Sequence, residues 1–273
     1  MKSFIKYTMA TVVGIFLTMT LFTIISIISL AGMMATEGMS APIKEKSILR
    51  LDLSGTLAER SDSNPFAALM GEENTPLSLE DALLALDKAA KNENIIGVYL
   101  EGGAMGANPG MAQELRQALV EFKESGKWVV AYGDSYGKTA YYLSSVADSV
   151  LLNPEGNVDF GGMASQIMFY KDVMEKVGVK MQVFKVGTYK SAVEPFICTE
   201  MSPANREQVT SYLFSIWTNM LKDVAASRNM EVGKLNSLAD SLTMISEASV
   251  ALNGGLVDKL CYMDEVKAIL REK

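Results

Sequence analysis

From Tyr7 to Thr36 the chain carries no charged side chain, and Ile, Leu, Phe, Val, Met and Ala dominate the run. About 20 such residues cross a bilayer, and within lipid every backbone polar group must be satisfied inside its own segment, which predicts a transmembrane helix. A cleaved signal peptide has an apolar core of roughly 7–15 residues. The longer run here predicts an uncleaved anchor, with the small residues Ala35 and Ala41 marking where cleavage would otherwise fall. Lys2 and Lys6 precede the span, whereas Glu37, Lys44, Glu45 and Lys46 follow it with mixed sign. That asymmetry predicts a cytoplasmic N-terminus and a domain facing outward, into the periplasm if the cell is bacterial. The expected division is an anchor over 1–36, a polar linker over 37–46 near Pro42, and one domain over 47–273.

A length of 273 residues leaves room for one sizeable α/β domain behind the anchor. With 49% hydrophobic residues and a net charge of −7, neither disorder nor a nucleic-acid surface is expected. Histidine is absent altogether, which removes Ser-His-Asp and Cys-His chemistry and the commonest nitrogen ligand for metals. Acid–base work near neutrality must then come from a carboxylate, a tyrosine, a cysteine or a desolvated lysine. Cys198 and Cys261 fit no zinc or redox spacing and read as ordinary residues, so no metal or cofactor is expected.

Alternating strand and helix patterns run through the domain. Residues 47–53 read as a strand closed by Gly55, and a loop rich in Ser, Asn and Pro follows. Ser78 with Asp81 resembles a capping box ahead of Leu79, Leu83, Leu86 and Ala90 at helical spacing. Strands are expected over 95–100, 128–132, 149–152 and 181–186, and helices over 110–124, 141–146 and 166–177. Ser202-Pro203 opens a long amphipathic helix with Val209, Leu213, Ile216, Met220 and Val224 as its apolar stripe. This alternation predicts a layered α/β domain with mostly parallel pairing.

Three glycine-bearing strand ends are candidate sites. Glu101-Gly102-Gly103 through Asn108-Pro109-Gly110 offers either bare N–H groups for an oxyanion or a plain turn, the plain turn being the expectation. Around Tyr132-Gly133-Asp134-Ser135-Tyr136-Gly137-Lys138, the pair Ser135 and Lys138 invites a dyad reading, although hydroxyls ahead of helices are usually caps. The third end, Gly187-Thr188-Tyr189-Lys190-Ser191-Ala192-Val193-Glu194-Pro195, follows the apolar stretch 181–186. A lysine desolvated beside a buried strand can lose its proton near neutrality and activate a serine hydroxyl without histidine. Lys190 is the catalytic candidate; Ser191 is excluded on the expectation that adjacent side chains of an extended backbone point apart.

Gly187 through Phe196 with Met201-Ser202-Pro203 resembles the lysine motif in the N-terminal half of long-form signal peptide peptidase A. Tyr141-Tyr142-Leu143-Ser144-Ser145, Asn153-Pro154-Glu155-Gly156 and Phe169-Tyr170-Lys171 ahead of Val179 agree in order, so the resemblance runs from about Ile48 to Asp258. It implies a ClpP/crotonase-like fold, a homo-oligomeric bowl on the outer face of the cytoplasmic membrane, hydrolysis of released signal peptides, and Lys190 as general base. The family's nucleophile is a serine in an Ala-Ser-Gly-Gly-Tyr type turn of the second half. The comparable turn here reads Gly137-Lys138-Thr139-Ala140-Tyr141, with Lys138 where serine would stand. The expectation is therefore a half-site needing a serine-bearing second half or partner, in a truncated or divided long-form enzyme whose second half would begin near Lys273. Substrate-contacting residues are not specified. The competing expectations are an inactive membrane scaffold or peptide-binding subunit and, less compatible with anchor and motif, an acyl-CoA enzyme of the crotonase fold.

Overall fold

The computed structural model describes residues 1–37, 42–61, 77–241 and 245–273. The Ser/Asn/Pro-rich loop falls largely outside them, as do Ala41 and the middle of the expected linker. Two compact units result, Met1–Lys44 and Glu45–Lys273. The first is dominated by helix α1, Lys2–Glu37, whose 27 residues Ser3–Ser29 include an 18-residue stretch with a mean hydropathy of 2.3. At 1.5 Å per residue they extend about 40 Å, more than a hydrocarbon core of roughly 30 Å. Thr8, Thr11, Thr18, Thr20 and Thr23 donate their hydroxyls to the carbonyls four residues earlier, so the helix satisfies these polar atoms internally.

The second unit is a layered α/β domain around a five-stranded parallel sheet in the order β1-β2-β3-β4-β5. The strands are β1 (Ser47–Thr56), β2 (Ile95–Gly106), β3 (Trp128–Gly133), β4 (Ser149–Leu152) and β5 (Lys259–Leu260). Parallel neighbours require crossovers, and helices α2 (Leu79–Lys91), α3 (Pro109–Glu124) and α4 (Lys138–Ser144) supply those from β1 to β4. Alternation along the strands sorts the core into two layers. Val98, Leu100, Val129, Ala131, Val150 and Leu152 join the main cluster, which includes Leu86, Leu115, Leu119 and Tyr141. Tyr99, Val130, Tyr132 and Leu151 face the opposite side, where Cys261 and Val266 cover them. With both faces buried, β3 and β4 read as unbroken apolar runs.

Ser78 accepts from the Asp81 N–H at the start of α2, as its spacing predicts. Helix α7, Pro203–Arg228, likewise begins where expected, with Ser202 accepting from Asn205 N. Its buried residues are Asn205, Trp217, Leu221, Val224 and Ala225; of the expected stripe only Val224 is fully buried. The C-terminal elements went unread in the sequence: α8 (Val232–Asp240), α9 (Ala248–Gly254), β5 and α10 (Met263–Glu272), whose Val266 packs into the second core layer.

Two expectations fail. Residues 181–186 form no strand and lie open, with Phe184 94% and Val186 91% exposed. The edge of β4 that a consecutive strand would occupy is taken by β5 instead, and an isolated extended segment has no ladder to join. The helix expected over 166–177 shrinks to α5, Lys171–Lys176, because Tyr170 N donates to Pro195 O at 2.6 Å and ties the preceding residues to another part of the chain.

Candidate active site

The first glycine-rich strand end is neither a bare oxyanion loop nor a plain turn. β2 continues to Gly106 and pairs with β1 as far as Thr56, past an irregularity near Leu53. Gly102 is required there because the Tyr136 ring fills the space a Cβ would need. Gly137 N donates to Gly103 O at 2.9 Å, joining this strand to the turn ahead of α4.

That turn leaves β3 at Gly133. Tyr132 donates its hydroxyl to Asp134 at 2.8 Å, and Asn153 donates its amide to the same carboxylate oxygen at 2.8 Å. Burial, reinforced by the Asp134 carboxylate, pushes the Tyr132 phenol up to about 12. The Asp134 carbonyl lies where a Cβ on Gly156 would be, so Asn153 through Gly156 clamp the turn. Ser135 is exposed on it and is not the cap; Gly137 occupies that position without a side-chain bond. Lys138, half-buried at the first position of α4, donates from Nζ to Gly162 O at 2.7 Å and not to Ser135. The structure therefore does not join Ser135 and Lys138 into a dyad.

Lys190 is exposed, as are residues 184–189 before it, so the desolvation expected beside a buried strand is not provided by this chain. It precedes a 3₁₀ turn, Ser191–Val193, rather than an extended run, which corrects the premise used to exclude Ser191. Lys190 and Ser191 both line an open cavity of about 590 Å³ with Phe184, Val186 and Tyr189, and Lys190 makes no hydrogen bond to a described hydroxyl.

The motif is held from its far end. Glu194, 2% exposed and opening the short helix α6 (Glu194–Ile197), accepts from Ser202 Oγ at 2.6 Å, Ser202 N at 3.2 Å and Asn205 Nδ2 at 2.9 Å. Those bonds, the Ser202 hydroxyl foremost, hold its carboxyl below the usual range. Tyr189 adds a bond to Glu207 at 3.2 Å, and the Tyr170 and Phe196 rings stack at 6.0 Å. The lysine segment thus hangs from the N-terminus of α7. Sequence reasoning had the glutamate in the motif but could not see its task, because its partners also read as an ordinary cap.

A carboxyl depressed in the folded state contributes stability that is present above the unfolded pKa, about 4.3, and is lost as pH falls through the lower folded value. Glu194→Gln should therefore melt below wild type at pH 7, with the gap closing between pH 5 and pH 3. A gap of unchanged size at pH 3 in calorimetric melts would assign it to packing rather than charge.

Fold and site together define a layered parallel α/β domain carrying a lysine motif, behind one helix long and apolar enough to span a membrane. Peptidase family S49 matches residues 121–273, and the chain belongs to that family. It is 34% identical to Protease 4 of Salmonella typhi over 255 residues, covering 87% of this chain and 41% of that one. Protease 4 of Haemophilus influenzae is 32% identical over 203 residues, covering 72% and 33%. The chloroplastic serine protease SPPA of Arabidopsis thaliana is 28% identical over 231 residues, covering 85% and 33%. The chain thus spans less than half the length of these relatives. Among solved structures, a serine-to-alanine mutant of the 1510-N membrane-bound stomatin-specific protease superposes with a TM-score of 0.44 at 10% identity, over 83% of this chain and 84% of that one.

Proposed function

We propose that this chain is the lysine-bearing half of a membrane-anchored Ser-Lys peptidase that degrades released signal peptides. Lys190 is the general base, and a serine-bearing second half or partner subunit supplies the nucleophile. The observation that carries this reading is the open apolar segment leading to Lys190. Phe184 and Val186 stand in solvent beside the one lysine of the resemblance motif, and exposed apolar surface of this kind marks an interaction site. A partner covering it would desolvate the amine, the condition a neutral base needs. Membership of family S49 and relatives named Protease 4 support peptide hydrolysis as the reaction. Lys138 at the first position of α4, where the family's turn would carry serine, supports an external serine. The lysines before α1 support a cytoplasmic N-terminus and an outward-facing domain.

One experiment addresses both the half-site and the orientation. Spheroplasts carrying residues 1–273 are treated with a membrane-impermeant fluorophosphonate, with and without a co-expressed serine-bearing half from a Protease 4 relative. The chain alone should resist labelling, and the second half should become labelled in intact spheroplasts only when the two are together. Labelling of the chain itself at Ser135 or Ser191, dependent on Lys190, would make it a complete enzyme. Labelling of the second half only after lysis would reverse the orientation.

A further inference from the structure

A second cavity, of about 250 Å³, lies between the N-terminal ends of α3 and α4, the middle of α7 and Met163. Its walls are apolar where Met163, Ile216 and Met220 line it, and its polar residues are Lys138, Gln113, Asn219, Thr139 and Tyr142, the Tyr142 hydroxyl being given to Asp223. Lys138 carries three donors. One goes to Gly162 O, and among the described residues no carboxylate lies within ion-pair distance of it. The Gln113 and Asn219 amides make no hydrogen bond to another described side chain. An unpaired ammonium at the edge of a small apolar recess selects an anion with an apolar body. The two amides, each donor and acceptor, match the N–H and C=O of a peptide bond. The volume is below the roughly 300–1,000 Å³ of a drug-sized pocket, which limits the occupant to one or two residues.

We infer that this cavity is a non-catalytic site for the free C-terminus of an apolar peptide. Lys138 pairs with the terminal carboxylate, Met163, Ile216 and Met220 enclose the last side chain, and Gln113 and Asn219 read the preceding peptide bond. The site uses none of the groups assigned to hydrolysis, so it stands or falls independently of Lys190.

The test uses the full chain in nanodiscs and fluorescence anisotropy of dansyl-Ala-Leu-Ala as free acid and as C-terminal amide. The free acid should bind at least about tenfold more tightly, a difference of roughly 1.4 kcal/mol. Lys138→Met should erase that preference, Ile216→Trp should abolish binding by filling the recess, and Lys190→Ala should leave both unchanged. Equal binding of acid and amide by the wild-type chain would overturn the inference without reference to any variant. So would a preference that survives Lys138→Met, or displacement of the peptide by octanoate at equal concentration, which would assign the cavity to fatty carboxylates.

Discussion

Lys190→Ala should lower kcat/KM for peptide hydrolysis by about a thousandfold or more in the assembly of this chain with the proposed serine-bearing half. Removing a general base forfeits about 10²–10⁴ in rate, and a thousandfold loss equals roughly 4 kcal/mol of transition-state stabilisation. Lys190→Arg should not rescue the loss, because a guanidinium keeps its proton and cannot accept one from a serine hydroxyl. Lys138→Ala, which removes a bond to Gly162 O, should leave turnover near wild type. The measurement is initial rates on a fluorogenic apolar peptide, with thermal melts showing each variant folded. Equal losses from Lys138→Ala and Lys190→Ala, or none from Lys190→Ala, would remove Lys190 from the mechanism.

The largest expected effect on stability lies elsewhere, at Arg116. The residue is 5% exposed, and its guanidinium bonds the Tyr142 carbonyl, Ser145 Oγ at 2.8 Å, the Asp223 carbonyl at 2.8 Å and Ser227 Oγ at 2.6 Å. It lies over the Tyr142 ring at 4.6 Å, and Tyr142 in turn donates its hydroxyl to Asp223. Burial pulls the guanidinium pKa down from its ordinary value, a cost that these acceptors offset. One side chain therefore joins α3, α4 and α7. Arg116→Met should cost about 3–4 kcal/mol, since hydrogen bonds to a charged group are worth about 1.5–3 kcal/mol each and the loss is only partly additive. At about 2–4 °C per kcal/mol for a domain of this size, Tm should fall by about 10 °C. Arg50→Ala, which breaks an exposed pair with Glu101, should cost under about 1 kcal/mol. A drop below about 3 °C for Arg116→Met, or equal drops for both, would show that the network carries no such weight.

Much of the architecture was legible because its signals are local. Apolar alternation marked β1, short apolar runs marked β2 to β4, and Ser78 and Ser202 marked helix starts, because a strand and an N-cap are settled by residues within a few positions of one another. The apolar stretch before Lys190 misled for the complementary reason. Val183, Phe184 and Val186 have the composition of a strand, but whether a strand forms depends on a free sheet edge, and residues 259–260 took it. Arg116 lies between buried positions of α3 and reads as a solvated charge, because its partners are 26 to 111 positions away.

The sequence by itself determined a helix long and apolar enough to span a membrane, the exclusion of histidine chemistry, the parallel α/β alternation and the motif around Lys190, each a matter of composition or short-range spacing. Only the tertiary structure decided that Lys190 stands uncovered, that Glu194 ties its segment to α7, and that Lys138 borders an apolar recess instead of pairing with Ser135. Those outcomes depend on which distant surfaces meet, and the energies of long-range contacts are not encoded in any window short enough to read directly.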